Sequence, residues 1–555
     1  MVWEQVYDPL GGALASTLVA SLPLVVLLGL LAGCGWSAAR SALAGLATAL
    51  AVAVGVVGMP TDAACAAALH GAAFGLFPIG WIIVTAMFLY ELSVEAGALE
   101  VMKRSVTRLS PDHRAQALLV AFSFGAFLEG AAGFGAPVAI SAALLAGAGF
   151  PALEASCLAL LANTAPVAFG ALGTPIVTLA KVTGLDEQAI SAMAGRQLPF
   201  FSLVVPAWMV VTMAGWRGLA GVWPAVLVCG VSFAVVQAAM ANFVGAALVD
   251  VVGGLASLVA LAAFLRVWQP REIWRYPSAA PVSLDAPPDT VARVVWAWMP
   301  WVFLSAAVFA WGLPGVKGAL EARDGTVVAG ILPRAAVAPQ WPVPRLDGRV
   351  AKVPPATRQE RETEPAVFRF NWLSAAGTGI LAAALVAIPW LGVPRRRAWE
   401  LWRETLVRLA PSLLTIAAML ALAFVTKYSG TDVILGLAMT RTGAAYPLFA
   451  ALLGWLGVAL TGSDTSSNAM FGSLQRVTAE QLALDPLLVC TANSTGGVMG
   501  KMIDAQSIVV SATATGVERA EGAILRRVFP HSLALAILVG VLVWLQSGPL
   551  AWMVP

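Results

Sequence analysis

Long apolar runs dominate this 555-residue chain, and they constrain its fold more than any motif does. The clearest lie at 13–34, 41–59, 76–97, 197–214, 219–240, 244–265, 294–313, 372–392, 411–426, 444–461 and 528–546. A helix needs about 20 apolar residues to cross the hydrocarbon core of a bilayer, so each of these runs is a span candidate. With shorter and broken segments included, the chain has room for about 12 to 14 crossings. Charged residues make up only 11% of the chain and apolar ones 59%. A soluble domain carries about 25% charged residues, and a fold of this size could not cover its surface in water with so few. The expectation is an all-α polytopic membrane protein with the lipid bilayer as a partner. A cytoplasmic enzyme, a nucleic-acid binder and a disordered scaffold are disfavoured.

The net charge of +3 says little by itself, because Lys and Arg fall in short clusters between the runs. Those clusters report topology. Arg40, then Lys103, Arg104, Arg108 and Arg114, then Arg266, Arg271 and Arg275, then Arg395, Arg396, Arg397, Arg403 and Arg408, and finally Arg519, Arg526 and Arg527 are expected on the cytoplasmic side. This divides the chain into a first repeat, 1–267, a cytoplasmic linker, 268–293, and a second repeat, 294–555. The second repeat includes a polar, proline-bearing external loop over 314–371. Long loops translocate whatever their charge. Residues 1–12 carry Glu4 and Asp8 and no base, so the first run is expected to be a retained span. Trp36, Trp268, Trp296, Trp301, Trp372 and Trp390 near run ends suit interfacial anchors. Glu91 and Glu95, one turn apart, suit a cytoplasmic boundary.

Cys34, Cys65, Cys157, Cys229 and Cys490 sit in apolar stretches without metal-ligand spacing and are expected to be small packing residues. His70, His113 and His531 form no paired pattern, so no metal and no cofactor is expected. His70, in a Gly- and Ala-rich run, suits a packed residue better than a proton carrier.

The halves share an internal pattern. Leu128-Glu129-Gly130-Ala131-Ala132-Gly133-Phe134-Gly135-Ala136-Pro137 is followed, 33 residues after Gly130, by Asn163 within Ala162-Asn163-Thr164. Leu460-Thr461-Gly462-Ser463-Asp464-Thr465-Ser466-Ser467-Asn468 is followed, 31 residues after Gly462, by Asn493 within Ala492-Asn493-Ser494. Each Asn then has a Gly seven positions on, Gly170 and Gly500. Weakly similar halves of this kind mark secondary transporters, whose site forms from discontinuous helices. A broken helix exposes amides at one half-helix start and carbonyls at the other half-helix end. An anion can be held there without a full protein charge.

Glu129 and Asp464 are the candidate proton-coupling residues. A carboxylate at span depth costs about 2.5 to 3.5 kcal/mol, and burial disfavours its charged form, so an intramembrane acid can take up and release a proton. The alternatives are that Glu129 braces the Gly-rich tip and that Asp464 is an Asx-type helix cap. Asn163, Thr164, Asn493, Ser494 and Thr495, with Ser463, Thr465, Ser466 and Ser467 at the second tip, offer amides and hydroxyls suited to a small hydroxylated carboxylate. Such residues also serve as hydrogen-bond partners between membrane helices. Gly133 and Gly135 permit close approach at the first tip. Lys501 could neutralise a substrate carboxylate, pair with Asp504, or snorkel to the interface.

Gly125 to Ile140, Leu161 to Gly170, Thr461 to Asn468 and Asn493 to Ile503 closely resemble the bacterial L-lactate permease family. So do Phe264-Leu265-Arg266-Val267-Trp268-Gln269-Pro270 and Asn371-Trp372-Leu373-Ser374-Ala375-Ala376-Gly377-Thr378. The resemblance runs in order over nearly the whole chain. It implies uptake of L-lactate and related 2-hydroxymonocarboxylates, D-lactate and glycolate, with protons across the bacterial inner membrane. It also implies two inverted repeats, each with a re-entrant hairpin and a discontinuous helix, as in the broader ion-transporter superfamily. Carried onto this chain, the hairpin tips are Gly130 to Pro137 and Gly462 to Asn468, and the helix breaks are at Asn163 and Asn493. Two departures stand out: Ala246 and Ala247 after Gly245 replace an expected Pro-Glu pair, and Lys427 replaces a common Asn. The partners expected are a small 2-hydroxy acid anion and a proton, with no nucleic acid and with room for a homo-oligomer. Alternatives are a carrier for another small organic anion, a channel, and an integral-membrane enzyme, although no nucleophile or metal constellation supports the last.

Overall fold

The structure is a computed structural model that describes residues 2–30, 34, 36–107, 109–131, 136–277, 289–312, 314–321, 337–357, 359–517 and 520–555. The apolar runs are helices because only a helix satisfies every backbone amide and carbonyl within its own segment when no water is present. Seven helices are long and apolar enough to span a membrane alone among the described residues, and an eighth candidate is bent by 64° between Ala152–Ala162 and Val167–Thr183. The other apolar helices, including Ala13–Leu27, Ala39–Gly55, Pro137–Gly147 and Ala376–Leu391, are shorter, which is why fewer full spans stand than the run count suggests. The runs at 197–214 and 219–240 form one continuous element, Leu198–Phe243, reversed at Gly215. Gly215 has φ 66°, a left-handed conformation that a side chain would strain.

Two large apolar cores organise the chain. One joins the first hairpin arm, Ala117–Phe124 with Gly125–Ala131, to Val249–Val267, Val291–Gly312 and Ala376–Leu391. The other joins Ala152–Ala162, Gly170–Thr183, Pro486–Gly500 and Glu521–Gln546. A second hairpin is built of Tyr446–Thr461 and Asp464–Gln481, reversed at Gly462 and Ser463. Its first arm packs backbone to backbone on Pro486–Gly500: a Cβ on Gly454 would fall 1.8 Å from the Asn493 carbonyl oxygen, and one on Gly496 2.1 Å from that of Ala451. Small residues buy this approach in an apolar medium, where contact and not hydrophobic transfer holds helices together.

A third core gathers Ala13–Leu28, Ala38–Gly55, Thr61–Phe74 and the C-terminal half of Arg395–Ser429. The polar segment 314–371 is more than a connector there. It carries strands Gln340–Pro342, Val350–Lys352, Glu362–Thr363 and Val367–Arg369, and Val350–Lys352 pairs in parallel with Trp3–Glu4 from the N-terminus. The cap is bolted to one end of Arg395–Ser429. Gln5 Nε2 donates to the carbonyls of Lys427 at 2.9 Å and Tyr428 at 3.0 Å, and Tyr428 Oη donates to Pro365 at 2.9 Å. The Lys427 ammonium stands 4.0 Å from Glu364, which also pairs with Lys352 at 2.5 Å. The opposite end of Arg395–Ser429 carries the basic cluster, where Arg397 pairs with Glu95 at 2.9 Å and Arg408 with Glu91. Both acids therefore lie at the boundary that the Arg cluster marks. Part of the linker 268–293 lies outside the described residues.

Two expectations are corrected. Trp301 is 2% exposed, packed edge-on to Phe127 rather than standing at an interface, because its run end is covered by the first hairpin. Trp296 and Trp390 sit at the ends of neighbouring helices, and each indole donates to the other's backbone carbonyl at 3.1 Å. Cys157, Cys229 and Cys490 are buried, but Cys34 and Cys65 are exposed, Cys65 because Thr61–Phe74 presents that face outward. His70 is buried with its ring 4.9 Å from that of Phe424, a packed position.

The backbone contact at Gly496 can be tested by substitution. Gly496→Ala is expected to cost about 1–3 kcal/mol through overpacking, whereas Gly522→Ala, which meets nothing within 4 Å, should leave stability within about 0.5 kcal/mol. Thermal unfolding of the purified protein in detergent would show the difference, and equal midpoints would refute the close approach.

Candidate functional site

The two candidate broken helices turn at different places. In the first, Ala152–Ala162 ends with Asn163 as its C-cap, and the chain then crosses Ala171, Leu172 and Gly173 with φ of 44°, 58° and 76°. Two non-glycine residues in left-handed conformation are strained, and strain of this kind collects at functional sites because surrounding packing must hold it. In the second, Pro486–Gly500 runs unbroken through Asn493, and the helix ends at Lys501–Ile503 and Asp504. Asn163 is thus at a break, whereas Asn493 is eight residues before one. The difference is physical: Asn493 is fully hydrogen-bonded within the packed helix pair, and Lys501 and Asp504 carry the turn instead.

The second hairpin tip faces these breaks. Ser463 is the N-cap of Asp464–Gln481, its hydroxyl accepting from the Ser466 amide at 3.2 Å. Asp464 is therefore not the cap. Its carboxylate turns inward, accepting from Ser494 Oγ at 2.5 Å and Asn468 Nδ2 at 3.4 Å, while Oδ1 is buried without a partner. A Cβ on Gly497 would fall 2.4 Å from that Oδ1, so glycine there seats the acid against Pro486–Gly500. Lys501 does not snorkel outward. Its ammonium donates to the Gly462 carbonyl at 2.6 Å and lies 3.2 Å from Asp504, whose other oxygen accepts from the Ser507 amide at 2.8 Å. Gly462, with φ 72°, is free to present that carbonyl.

Between tip and breaks lies a cavity of about 240 Å³. Its walls are Thr461 to Ser466 of the tip, Gly170, Ala171, Thr174 and Pro175 of the first break, Lys501 of the second, Glu129 of the first hairpin, and Ser412, Thr415 and Ile416 of Arg395–Ser429. Clefts for drug-sized ligands run to about 300–1,000 Å³, so this one suits a smaller molecule. Glu129 and Asp464 are only 4% and 3% exposed. Glu129 lies against Gly170, where a Cβ would fall 2.7 Å from Oε1, and its Oε2 is buried without a partner. Asn163 is turned toward it with Nδ2 likewise unpartnered. The start of Asp464–Gln481 points at the hollow, and the first amides of a helix favour an anion.

Of the residues singled out in the sequence, the structure brings Glu129, Ser463, Asp464, Thr465, Ser466 and Lys501 to one cavity. It places Thr164, Ser467, Asn493, Ser494 and Thr495 behind the wall. Asn493 donates to Asn468 at 2.9 Å and accepts from Gln475 at 3.2 Å, and Asn468 reaches the Pro175 carbonyl at 3.2 Å. Thr495 donates to Gln197 at 2.7 Å, Ser467 to the Gly454 carbonyl at 3.2 Å, and Thr164 to its own helix at Leu161. These groups brace the half-helices. Gly133 and Gly135, with most of the first tip, lie outside the described residues. Thr174, Ser412, Thr415 and Gln475 were missed, although Gln475 was detectable as an amide two turns after Asn468 in a helix that buries that face.

Asn493→Ala would leave the Asn468 Oδ1 without its donor and take one of two acceptors from Gln475 Nε2, at about 1–3 kcal/mol for the group left unsatisfied. Ser466→Ala, on the cavity wall, should leave stability near that of the unmodified chain. Thermal midpoints in detergent check this, and an unchanged midpoint for Asn493→Ala would remove its bracing role.

Comparison with known proteins bears on this geometry. The family model described as L-lactate permease matches residues 16–548. The L-lactate permease of Salmonella typhimurium is 45% identical over all of both chains. The glycolate permease GlcA of Escherichia coli K12 is 44% identical over 99% of this chain and 98% of its own. The L-lactate permease of Bacillus subtilis is 43% identical over all of both.

Proposed function

From the premise that this chain belongs to the L-lactate permease family, we propose that it is a proton-coupled symporter for L-lactate and related 2-hydroxymonocarboxylates, D-lactate and glycolate. The relatives' names support the substrate class. The observation that carries the coupling is the charge inventory of the cavity. Among the described residues, its lining holds two acids, Glu129 and Asp464, and one cation, Lys501, which is already paired with Asp504 behind the wall. An organic anion entering such a low-dielectric hollow adds negative charge where excess negative charge is already costly. A proton entering with it removes that penalty.

In this reading the substrate carboxylate lies at the start of Asp464–Gln481, near the hydroxyls of Ser463, Thr465 and Ser466 and the Lys501 ammonium. Glu129 carries the proton across the cavity from them, with Asp464 the second candidate. Protonation and anion binding then favour each other, and by linkage each raises the affinity for the other. Empty and doubly loaded forms move more readily than half-loaded ones. With the basic cluster of Arg395–Ser429 on the cytoplasmic side, the cavity, lined by Ser37 and by Pro411, Ser412, Thr415 and Ile416 near that cluster, faces the cytoplasm in this reading. The strand-bearing cap then covers the outer end, and release and capture require the second tip and the breaks to move relative to Arg395–Ser429.

Reconstituted vesicles with an inward proton gradient test this. Labelled L-lactate, D-lactate and glycolate should accumulate, each competing with the others, and a dicarboxylate should not. Glu129→Gln should abolish gradient-driven accumulation and spare exchange of labelled for unlabelled lactate. Accumulation independent of the gradient would sink the coupling, and the absence of 2-hydroxymonocarboxylate uptake would sink the substrate assignment.

A further inference from the structure

Asp250 opens the helix Val249–Val267 and is 1% exposed, and neither carboxyl oxygen has a hydrogen-bond partner among the described residues. Its surroundings bring it to Glu129. A Cβ on Gly130, the residue after Glu129, would fall 2.7 Å from Asp250 Cβ and 2.7 Å from the Val251 amide nitrogen. One turn on, a Cβ on Gly254 would fall 2.4 Å from the Phe127 nitrogen. The helix therefore lies directly along Gly125–Ala131, backbone on backbone. At its head, a Cβ on Gly173 of the strained turn would fall 2.8 Å from Ala246. Asp250 thus sits where the first hairpin, the first helix break and this helix converge, behind Glu129 and away from the cavity that Glu129 lines.

The elements packed there are Ala117–Phe124, Gly125–Ala131, Gly170–Thr183 and Leu198–Phe243. Of the titratable side chains on them, the one whose charge Asp250 feels is Glu129, next in the chain to the Gly130 that Asp250 touches. Lys181 and Arg217, the remaining charged residues on them, face elsewhere: Lys181 lines a separate cavity with Arg369, and Arg217 is exposed. Among the described residues no cation pairs with either acid. A first-turn Asp ordinarily caps its helix by accepting amides, and here neither oxygen does. Two carboxylates side by side in a dry interior cannot both be charged, and an ionised, unpartnered one is costly there.

We propose that Asp250 is a second proton-binding site, forming with Glu129 a carboxyl pair in which Glu129 exchanges with the cavity and Asp250 holds a proton behind it. When Glu129 releases its proton to the cavity, the Asp250 O–H bond breaks and a new one forms on the Glu129 carboxylate oxygen; reprotonation reverses both. One proton moves per step, and nothing is oxidised or reduced. This rests on Glu129 as the proton carrier.

The test is infrared spectroscopy of the purified full-length protein at neutral pH, in which a protonated carboxyl is seen by its own carbonyl band. Unmodified protein should show this band, Asp250→Asn should lose it, and Glu129→Gln, with Asp250 intact, should shift it. Survival of the full band in Asp250→Asn, or an unshifted band in Glu129→Gln, overturns the proposal. So does loss of the unmodified band on adding sodium chloride but not choline chloride, which would make the site one for sodium. Should Asp250→Asn fail to yield folded protein, the Glu129→Gln band decides alone. In vesicles, Asp250→Asn should lower gradient-driven accumulation at least tenfold and change lactate exchange less than twofold, and unchanged accumulation overturns the role. If unmodified vesicles accumulate no lactate while the bands behave as expected, the substrate assignment fails and the proton site stands.

Discussion

Unwound backbone inside an apolar slab must find its hydrogen bonds within the protein, and the central architecture follows from that demand. The second break depends on Lys501, whose ammonium takes up the Gly462 carbonyl, and on Asp504, which caps the following helix at the Ser507 amide. These two side chains are also an ion pair, so the same residues that satisfy a broken helix place a charge at the cavity wall. The first break meets the demand differently. Its left-handed residues, Ala171 to Gly173, are pressed between Ala246 and the neighbourhood of Glu129.

Close packing makes that arrangement rigid. Glycines at 454, 496, 497 and 500 let the second hairpin touch Pro486–Gly500 at backbone distance. The contact leaves no room for water, so polar groups on those helices satisfy one another: Tyr446 donates to Gln475, Gln475 to Asn493, and Asn493 to Asn468. A satisfied buried network fixes a unique geometry. That explains why several hydroxyls and amides near the tips serve as a frame for the cavity instead of its lining.

Electrostatics connects frame and function. The acids of the site outnumber its cations, and burial makes each uncompensated charge expensive. On the proposed reading, a hollow built this way resists a lone anion and accepts an anion with a proton. The strand-bearing cap, tied through Gln5, Tyr428 and Glu364 to one end of Arg395–Ser429, fastens the N-terminus to the same helix that forms a wall of the cavity at its middle.

Much of this is legible in residue order. Apolar run length dictated the spans, because the bilayer leaves helices as the only form for such runs. Gly-rich tips and the matched Asn and Gly spacing marked Glu129, Asp464 and Lys501, since acids and bases at span depth are too costly to be incidental. Tertiary packing decided the rest. Local sequence could not tell Thr465 on the wall from Ser494 behind it, as both are hydroxyls near a glycine and only the facing helix determines which is covered. Nor could it shift the second break from Asn493 to Lys501, or join Asp250 to Glu129 across more than a hundred residues. Those outcomes depend on which backbones approach, and approach is a property of the assembled helices.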